Sequence, residues 1–520
     1  MRVMDTALEA LPDDLATLRA MVLSARAETA RLLAINARLE HIVQQLRRLQ
    51  FGARSERLDA DQLDLALEDL EQAEAEIRAE QEKHDPALKT ARAQTRRNGR
   101  PALPPHLPRV EVVVAPQSTA CPCCQGPMHV IGEDSSSRLD VVPAQYRVLV
   151  TRRPKYACRA CTDGVVQAPA PARLIAGGLP TEALVAQVLS RKYADHLPLY
   201  RQAQMLARQG IAIERATLAH WAGTAAAELR PVYDWLKRDL LGSGKLFVDE
   251  TPAPVLDPGR GRTKSGYFWT LARDDRPWGG RDPPAVVYSY APGRGAEHAA
   301  KLLAEYSGVL QTDGYSGYKS LADPRRSPAP VTLAHCWAHL RRRFFELTKG
   351  GAAPIATEAL RRIAELYRIE EEIRGRSAAE RQAVRAARTR PLVDALQLWL
   401  KARLAEVSGR APIADAIRYG LNHWAGLTRF LEDGRIEIDS NTVERTIRPI
   451  ALNRKNALFA GSDEGGVHWA VLATLIETCK LHAVDPEAYL ADVLTRLVNL
   501  WPNSRLAELA PWNWATSQAQ

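Results

Sequence analysis

The sequence predicts a multidomain α+β protein: an N-terminal coiled coil, a zinc ribbon, a helical DNA-binding region, and an α/β domain interrupted by an all-helical insertion. Three observations predict it. Apolar residues repeat in heptads near the N-terminus. Two Cys-x-x-Cys pairs follow. From residue 245, short β-type runs replace the helical period, then give way to a helical block over 345–432.

A length of 520 residues suits several domains. The net charge of +9 suits a polyanionic partner without identifying one. No apolar run is long enough for a transmembrane helix, so no membrane partner is expected. The opening MRVMDTALEALPDDL carries acids where a signal peptide needs bases and then an apolar stretch. The expectation is a cytoplasmic, nucleoid-associated protein whose cysteines are thiols or metal ligands.

Pro12 suits a first helical turn. Heptads then place Leu15, Val22, Thr29, Asn36 and Val43 at a, and Leu18, Ala25, Leu32, Leu39 and Leu46 at d. This stripe predicts a coiled coil over 1–50, and Asn36 at a favours a parallel dimer in one register. A helix packed on its own domain is the alternative. Residues 51–107 read as FGARSERL, an acidic helix whose only base over 59–82 is Arg78, and a basic, proline-rich linker able to follow phosphates.

Over 108–170, Cys121 and Cys124 pair with Cys158 and Cys161 as four soft thiolates, enough for a closed, structural Zn2+ site. Cys123 competes, at the wrong spacing. VEVVV, LDVV and YRVLVTRRPKYA would be the ribbon strands. Residues 171–244 are helical. LYRQAQMLARQG and IAIERATLAHWAGTAAAEL flank a turn at Gly210, either a helix-turn-helix presenting Arg215, Thr217 and His220 to DNA, or an ordinary hairpin with Trp221 in its core.

Residues 245–344 alternate strand and helix signals: KLFVDET, GYFWTLAR, AVVYSYA, then AEHAAKLLAEY, GVLQTD and VTLAHC. Asp249 and Asp313 are expected to end two of these strands. Glu444 follows the insertion on a helix within 433–482 that Asp439 or Ser440 can cap. An Asp on each of two strands and a Glu on a later helix is the layout of a ribonuclease-H-like metal site. Phosphoryl transfer needs positioning and charge neutralisation more than covalent help, and hard carboxylate oxygens suit two Mg2+ (or Mn2+) ions. Asp249 would bridge them, with Asp313 and Glu444 each on one side; Glu250 would face away. Arg341, Arg342, Arg343, Arg445, Arg448, Arg454 and Lys455 are candidate DNA phosphate contacts, with solvated charge as the alternative. Residues 483–520 read as a C-terminal helical tail.

The stretches FGARSERL, CPCC and CRAC, FVDETPAPVLDPGRGRTKSGYFW, TDGYSGY, HCWAHLRRRFFE, IEIDSNTVERTIRPIALNRKNALFAGSDEGG, IETCKLHAVDPEAYLADVL and PWNW resemble those of the IS66-family transposases, over nearly the whole chain. The resemblance implies a DDE transposase with Asp249, Asp313 and Glu444 as its acids, a zipper, a zinc-binding domain and an insertion before Glu444. It implies inverted-repeat and target DNA as partners, a homodimer or higher oligomer, and in many elements accessory proteins. Cys336 and His339 form a CxxH pair like that of several cut-and-paste transposases. A DNA-binding protein without catalysis and a structure-selective nuclease are the rival readings.

Overall fold

The computed structural model describes residues 14–19, 21–23, 26, 86–98, 108–111, 113, 123, 125, 145–157, 165–257, 262–349, 351–457 and 460–518. The four cysteines of the expected zinc site lie outside these residues, as does most of the heptad stretch. The chain divides into two compact units, residues 1–153 and 154–520.

In the first unit, Asp14 caps a helical start: its Oδ2 accepts the Thr17 N–H at 2.9 Å. Leu15 and Val22, both at a positions, are exposed on this single chain. α1 (Pro86–Asn98) is a polar helix. Residues 145–153 have no regular structure, although a strand was expected there. β propensity needs a partner strand to be realised, and Val148, Leu149 and Val150 stand exposed with no partner strand among the described residues.

In the second unit, β1 (Lys155–Ala157) pairs antiparallel with β2 (Val165–Gln167). Four helices follow: α2 (Glu182–Tyr193), α3 (Leu199–Ala207), α4 (Arg215–Glu228) and α5 (Arg230–Leu241). Gly210 makes the α3–α4 turn at φ +77°, a left-handed conformation that favours glycine. On α4, Trp221 is buried while Arg215, Thr217 and His220 are exposed, so a packed core face and a presented polar face coexist.

The sheet comprises β3 (Lys245–Asp257), β4 (Arg262–Arg273), β5 (Ala285–Ala291), β6 (Val309–Thr312) and β7 (Thr332–His335), in the order β5-β4-β3-β6-β7. β3, β4 and β5 are antiparallel neighbours; β3, β6 and β7 run parallel. α6 (Ala296–Leu302) carries the crossover from β5 to β6. Pro252 and Pro254 are tolerated in β3 because β6 pairs only with Lys245–Phe247 and asks no N–H of them. Beyond it, Ala460 bridges that side of the strand, its N–H donating to Pro254 O at 2.9 Å and its carbonyl accepting the Leu256 N–H at 2.8 Å.

α7 (Trp337–Thr348), α8 (Pro354–Glu372), α9 (Ala378–Val384), a π-helical turn (Arg385–Thr389), α10 (Arg390–Glu406), α11 (Pro412–Asn422) and α12 (Trp424–Thr428) form the helical insertion. Its core gathers Trp337, Leu340, Phe344, Ile363, Leu396 and Ile417. α13 (Asn441–Ala457) and α14 (Asp463–Leu481) then return to the sheet. α14 covers the β5 edge: Thr474 Oγ1 accepts the Tyr288 N–H at 2.9 Å, and Thr478 Oγ1 donates to Val286 O at 3.1 Å. α15 (Pro486–Val498) and α16 (Pro511–Gln518) are no loose tail. α15 buries Leu490, Val493 and Leu494, and Trp512 of α16 lies against Trp235 of α5.

Candidate active site

Asp249 sits in the middle of β3, not at its end. β4 keeps pairing with β3 as far as Asp257, whereas β6 leaves it after Phe247. The parallel register sets Phe247 beside Gln311. The ladder ends at that pair; Asp249 lies two residues further along β3, Asp313 in the turn just after β6, and the Asp249 carboxylate feels the charge of Asp313. Asp249 shares the face of Phe247, since alternate residues of a strand point the same way. That face is covered by α13, whose Val443 packs on Phe247 and Ala272. Glu444 follows Val443.

The electrostatics report the convergence. Burial foremost, then the like charges of Glu250, Asp313 and Glu444, push the Asp249 carboxyl up to about 7. The Glu250 N–H, donating to Asp249 Oδ1 at 2.8 Å, offsets part of this. Asp313 Oδ1 accepts the Tyr315 N–H at 2.7 Å. Among the described residues, no lysine or arginine is ion-paired with either aspartate. Hard oxygen donors carrying mutual repulsion fit a divalent cation such as Mg2+.

Glu250 does face away from this cluster, yet it is not solvated. Its Oε1 accepts from Arg294 at 2.7 Å and its Oε2 from the Tyr318 hydroxyl at 2.5 Å. Burial raises its carboxyl, and these two donors pull it back. It ties β3 to the loop after Asp313.

Glu444 is held from two sides. The Gln311 amide donates to Glu437 O and accepts the Glu437 N–H, both at 2.9 Å. From the start of α7, the Trp337 N–H donates to Ile438 O at 3.1 Å and Cys336 Sγ accepts the Ser440 N–H at 3.2 Å. Ser440 takes the position before the helix, its carbonyl accepting the Val443 N–H at 3.0 Å, and Asp439 Oδ1 accepts the Asn441 N–H at 3.1 Å. His339 Nδ1 lies 3.8 Å from Glu444 Oε1. The Cys336, His339 and Glu444 ligand atoms fall within 4.8 Å of one another. Burial pushes the Cys336 thiol up to about 11, which suits an acceptor for a backbone N–H. Gln311→Leu strands the Glu437 N–H and carbonyl. It is expected to cost about 1–3 kcal/mol in a denaturant titration, and an unchanged midpoint would mean the clasp bears no load.

Sequence reasoning missed Gln311, Tyr419 and His423. The signal for Gln311 was there: a polar side chain amid the apolar GVLQTD run. For Tyr419 and His423 there was none. The Tyr419 hydroxyl donates to Asp313 O at 2.7 Å, and His423 Nε2 lies 3.3 Å from Gly314 O.

The basic residues do not form one group. Arg342, Arg343, Arg445, Arg448 and Lys455 are exposed, whereas Arg341 and Arg454 are half-buried. The Arg343 guanidinium lies 3.9 Å from the centre of the Tyr419 ring. Arg454 donates to Pro252 O on β3. Arg445 lines a pocket of about 250 Å³ with Arg273, Glu477 and Lys480. Arg215 and His220 sit apart, on α4.

The profile of the Transposase IS66 family matches residues 177–468. The zinc-finger binding domain of transposase IS66 matches 118–162, Transposase C of IS166 homeodomain 38–112, and the IS66 C-terminal element 474–512. Uncharacterized protein y4qI of Sinorhizobium fredii is 45% identical, over 97% of this chain and 98% of its own length. Uncharacterized protein y4jD of the same organism is 46% identical, over 98% of each chain. Among the described residues, no helix is long and apolar enough to cross a membrane.

Proposed function

Because the chain belongs to the IS66 transposase family, we propose that it is the DNA transposase of an insertion sequence, with Asp249, Asp313 and Glu444 as the acids of a ribonuclease-H-like catalytic centre. One observation carries this reading: acids from a strand, a following strand end and a helix after a long insertion come together, and burial with mutual repulsion raises Asp249. A sheet order of β5-β4-β3-β6-β7 with one antiparallel and one parallel half supports the fold assignment.

Asp249, Asp313 and Glu444 would hold two divalent ions. Such ions, when bound, activate an attacking oxygen and stabilise a leaving one. The chain does the rest by placement. β3 carries Asp249, and the turn after β6 carries Asp313. Gln311 and Cys336 hold the start of α13, so that Glu444 meets them. At each transposon end, water attacks the phosphodiester, a P–O bond forms and the strand's P–O3′ bond breaks, leaving a 3′-hydroxyl. That hydroxyl then attacks a target phosphodiester, joining end to target and releasing a target 3′-hydroxyl.

The other parts follow the same reading. Cys121, Cys124, Cys158 and Cys161 would close a structural Zn2+ site. Arg215 and His220 on α4, and the basic residues beside the acids, would contact end and target DNA. Paired ends need two catalytic centres, for which the N-terminal heptads offer a dimer.

The test is direct. Purified protein with Mg2+ is incubated on labelled DNA carrying the flanking inverted repeat and a plasmid target. Nicking at the repeat boundary and joining to the plasmid, both lost with EDTA, is the expected result. Binding without either reaction, even with neighbouring accessory proteins, would favour a DNA-binding protein without catalysis. Cutting of branched DNA without joining would favour a nuclease.

A further inference from the structure

We propose that Tyr419 and His423, from α11 and its C-terminal end in the helical insertion, are positioning residues that set the Asp313 turn for metal binding. The inference rests on the catalytic reading of Asp313. It gives the insertion a part in the metal site beyond separating Glu444 from the strands.

The turn after β6 cannot hold its own shape. Asp313 is followed by Gly314 at φ +92°, a conformation that L side chains rarely adopt. Inside the turn, the Thr312 hydroxyl accepts the Gly314 N–H at 3.1 Å and Asp313 Oδ1 accepts the Tyr315 N–H at 2.7 Å. These bonds leave the carbonyls of Asp313 and Gly314 to be met from elsewhere. Tyr419 donates to the first at 2.7 Å, and His423 Nε2 lies 3.3 Å from the second. His423 donates there as the Nε2–H tautomer or the imidazolium, a neutral ring having one N–H for the two carbonyls that its nitrogens face. Both groups arrive through the space that a side chain at 314 would need. A Cβ there would stand 3.0 Å from the His423 ring and 3.2 Å from the Tyr419 hydroxyl.

The two side chains are themselves fixed. Their rings lie 4.3 Å apart, and His423 Nδ1 is 2.8 Å from Tyr419 O. The Arg343 guanidinium covers the outer face of Tyr419. The His335 ring, beside Thr312 on β7, meets His423 edge-on at 5.2 Å. α11 is anchored on α7, where Gly420 allows Leu340 to approach closely, and Ile417 and Leu340 share the insertion core. A rigid helical arm therefore reaches back to the carbonyls beside Asp313. Residues that orient a metal-binding carboxylate typically carry about 10–100-fold of metal affinity or activity.

The test measures Mn2+ binding to the full chain by isothermal titration calorimetry, for wild type, Asp313→Asn, Tyr419→Phe and His423→Gln. Thermal unfolding is followed in parallel. Tyr419→Phe removes one oxygen and keeps the ring under Arg343. The expected result is Mn2+ binding about tenfold weaker than wild type, with DNA-end cleavage needing correspondingly more Mg2+. His423→Gln, which retains a donor, should fall between the two. A lower melting temperature with unchanged Mn2+ affinity in both variants would reduce the pair to ordinary packing and overturn the inference. Equal affinity in wild type and Asp313→Asn would overturn the catalytic reading with it.

Discussion

Asp249→Asn is expected to bind transposon-end DNA as wild type does and to cleave it at least about 10³-fold more slowly. The substitution is nearly isosteric and removes one oxygen ligand from the residue at the centre of the acid cluster. A metal-held transition state loses several kcal/mol in this way, and about 4 kcal/mol corresponds to three orders of magnitude. Glu444→Gln should match it. Single-turnover cleavage beside a gel shift on the same DNA measures both. Cleavage within tenfold of wild type in either variant would remove that acid from the catalytic set.

A second readout separates the charge of Asp249 from its fold. Its carboxyl titrates near 7 in the folded chain against 3.8 for the free group. Between those values the folded chain holds a proton that the unfolded chain has lost, so metal-free stability falls as pH rises through that interval. Asn carries no such charge. The variant should therefore melt higher than wild type at pH 8 without metal, and the two should converge below about pH 4. The gain in stability with the loss of cleavage would mark a residue kept for chemistry at the expense of the fold.

The largest effect on stability is expected at Glu370→Ala. Glu370 lies on α8, buried between two arginines. Arg385 reaches its two oxygens at 2.8 and 2.6 Å, and Arg381 is 3.5 Å away. Arg385 also donates to Phe430 O at 2.8 Å, and Arg381 to Glu437 at 2.8 Å. Two cations and two carboxylates balance, and the cluster links the insertion to the irregular segment leading to Glu444. Removing the Glu370 carboxylate leaves the Arg385 guanidinium, nearly out of solvent, on the carbonyls of Phe430 and Asp433 with no carboxylate among the described residues, while Arg381 keeps Glu437. Breaking such a buried pair costs about 3–5 kcal/mol. Replacing Glu370 and Arg385 together by methionine should recover much of it, because the uncompensated charge goes too. A loss below about 1 kcal/mol for Glu370→Ala would show that water reaches the site.

Much of the second unit was legible from local patterns. KLFVDET, GYFWTLAR, AVVYSYA, GVLQTD and VTLAHC are all strands, because β-branched and aromatic runs bounded by turn residues find partners within the same sheet. YRVLVTRR carries the same composition and is not a strand, and among the described residues nothing pairs with it. The position of Asp249 within β3 was misread for a related reason. DETPAPV looks like a strand end, with two prolines, and it continues only because β4 pairs along it as far as Asp257.

The sequence by itself determined the family, the order of helical and β segments, and which acids are candidates, since residue type and spacing carry that information locally. Only the tertiary structure decided how the acids are held. The parallel pairing of β3 with β6 brings the turn that holds Asp313 toward Asp249, and that pairing is a relation between segments more than fifty residues apart. Gln311 and Cys336 meet the start of α13 across the sheet, and Tyr419 meets Asp313 across 106 residues. Such hydrogen bonds leave no periodic trace in either partner. They exist because buried carbonyls and N–H groups must be paired, and the fold alone determines which side chain is near enough to pair them.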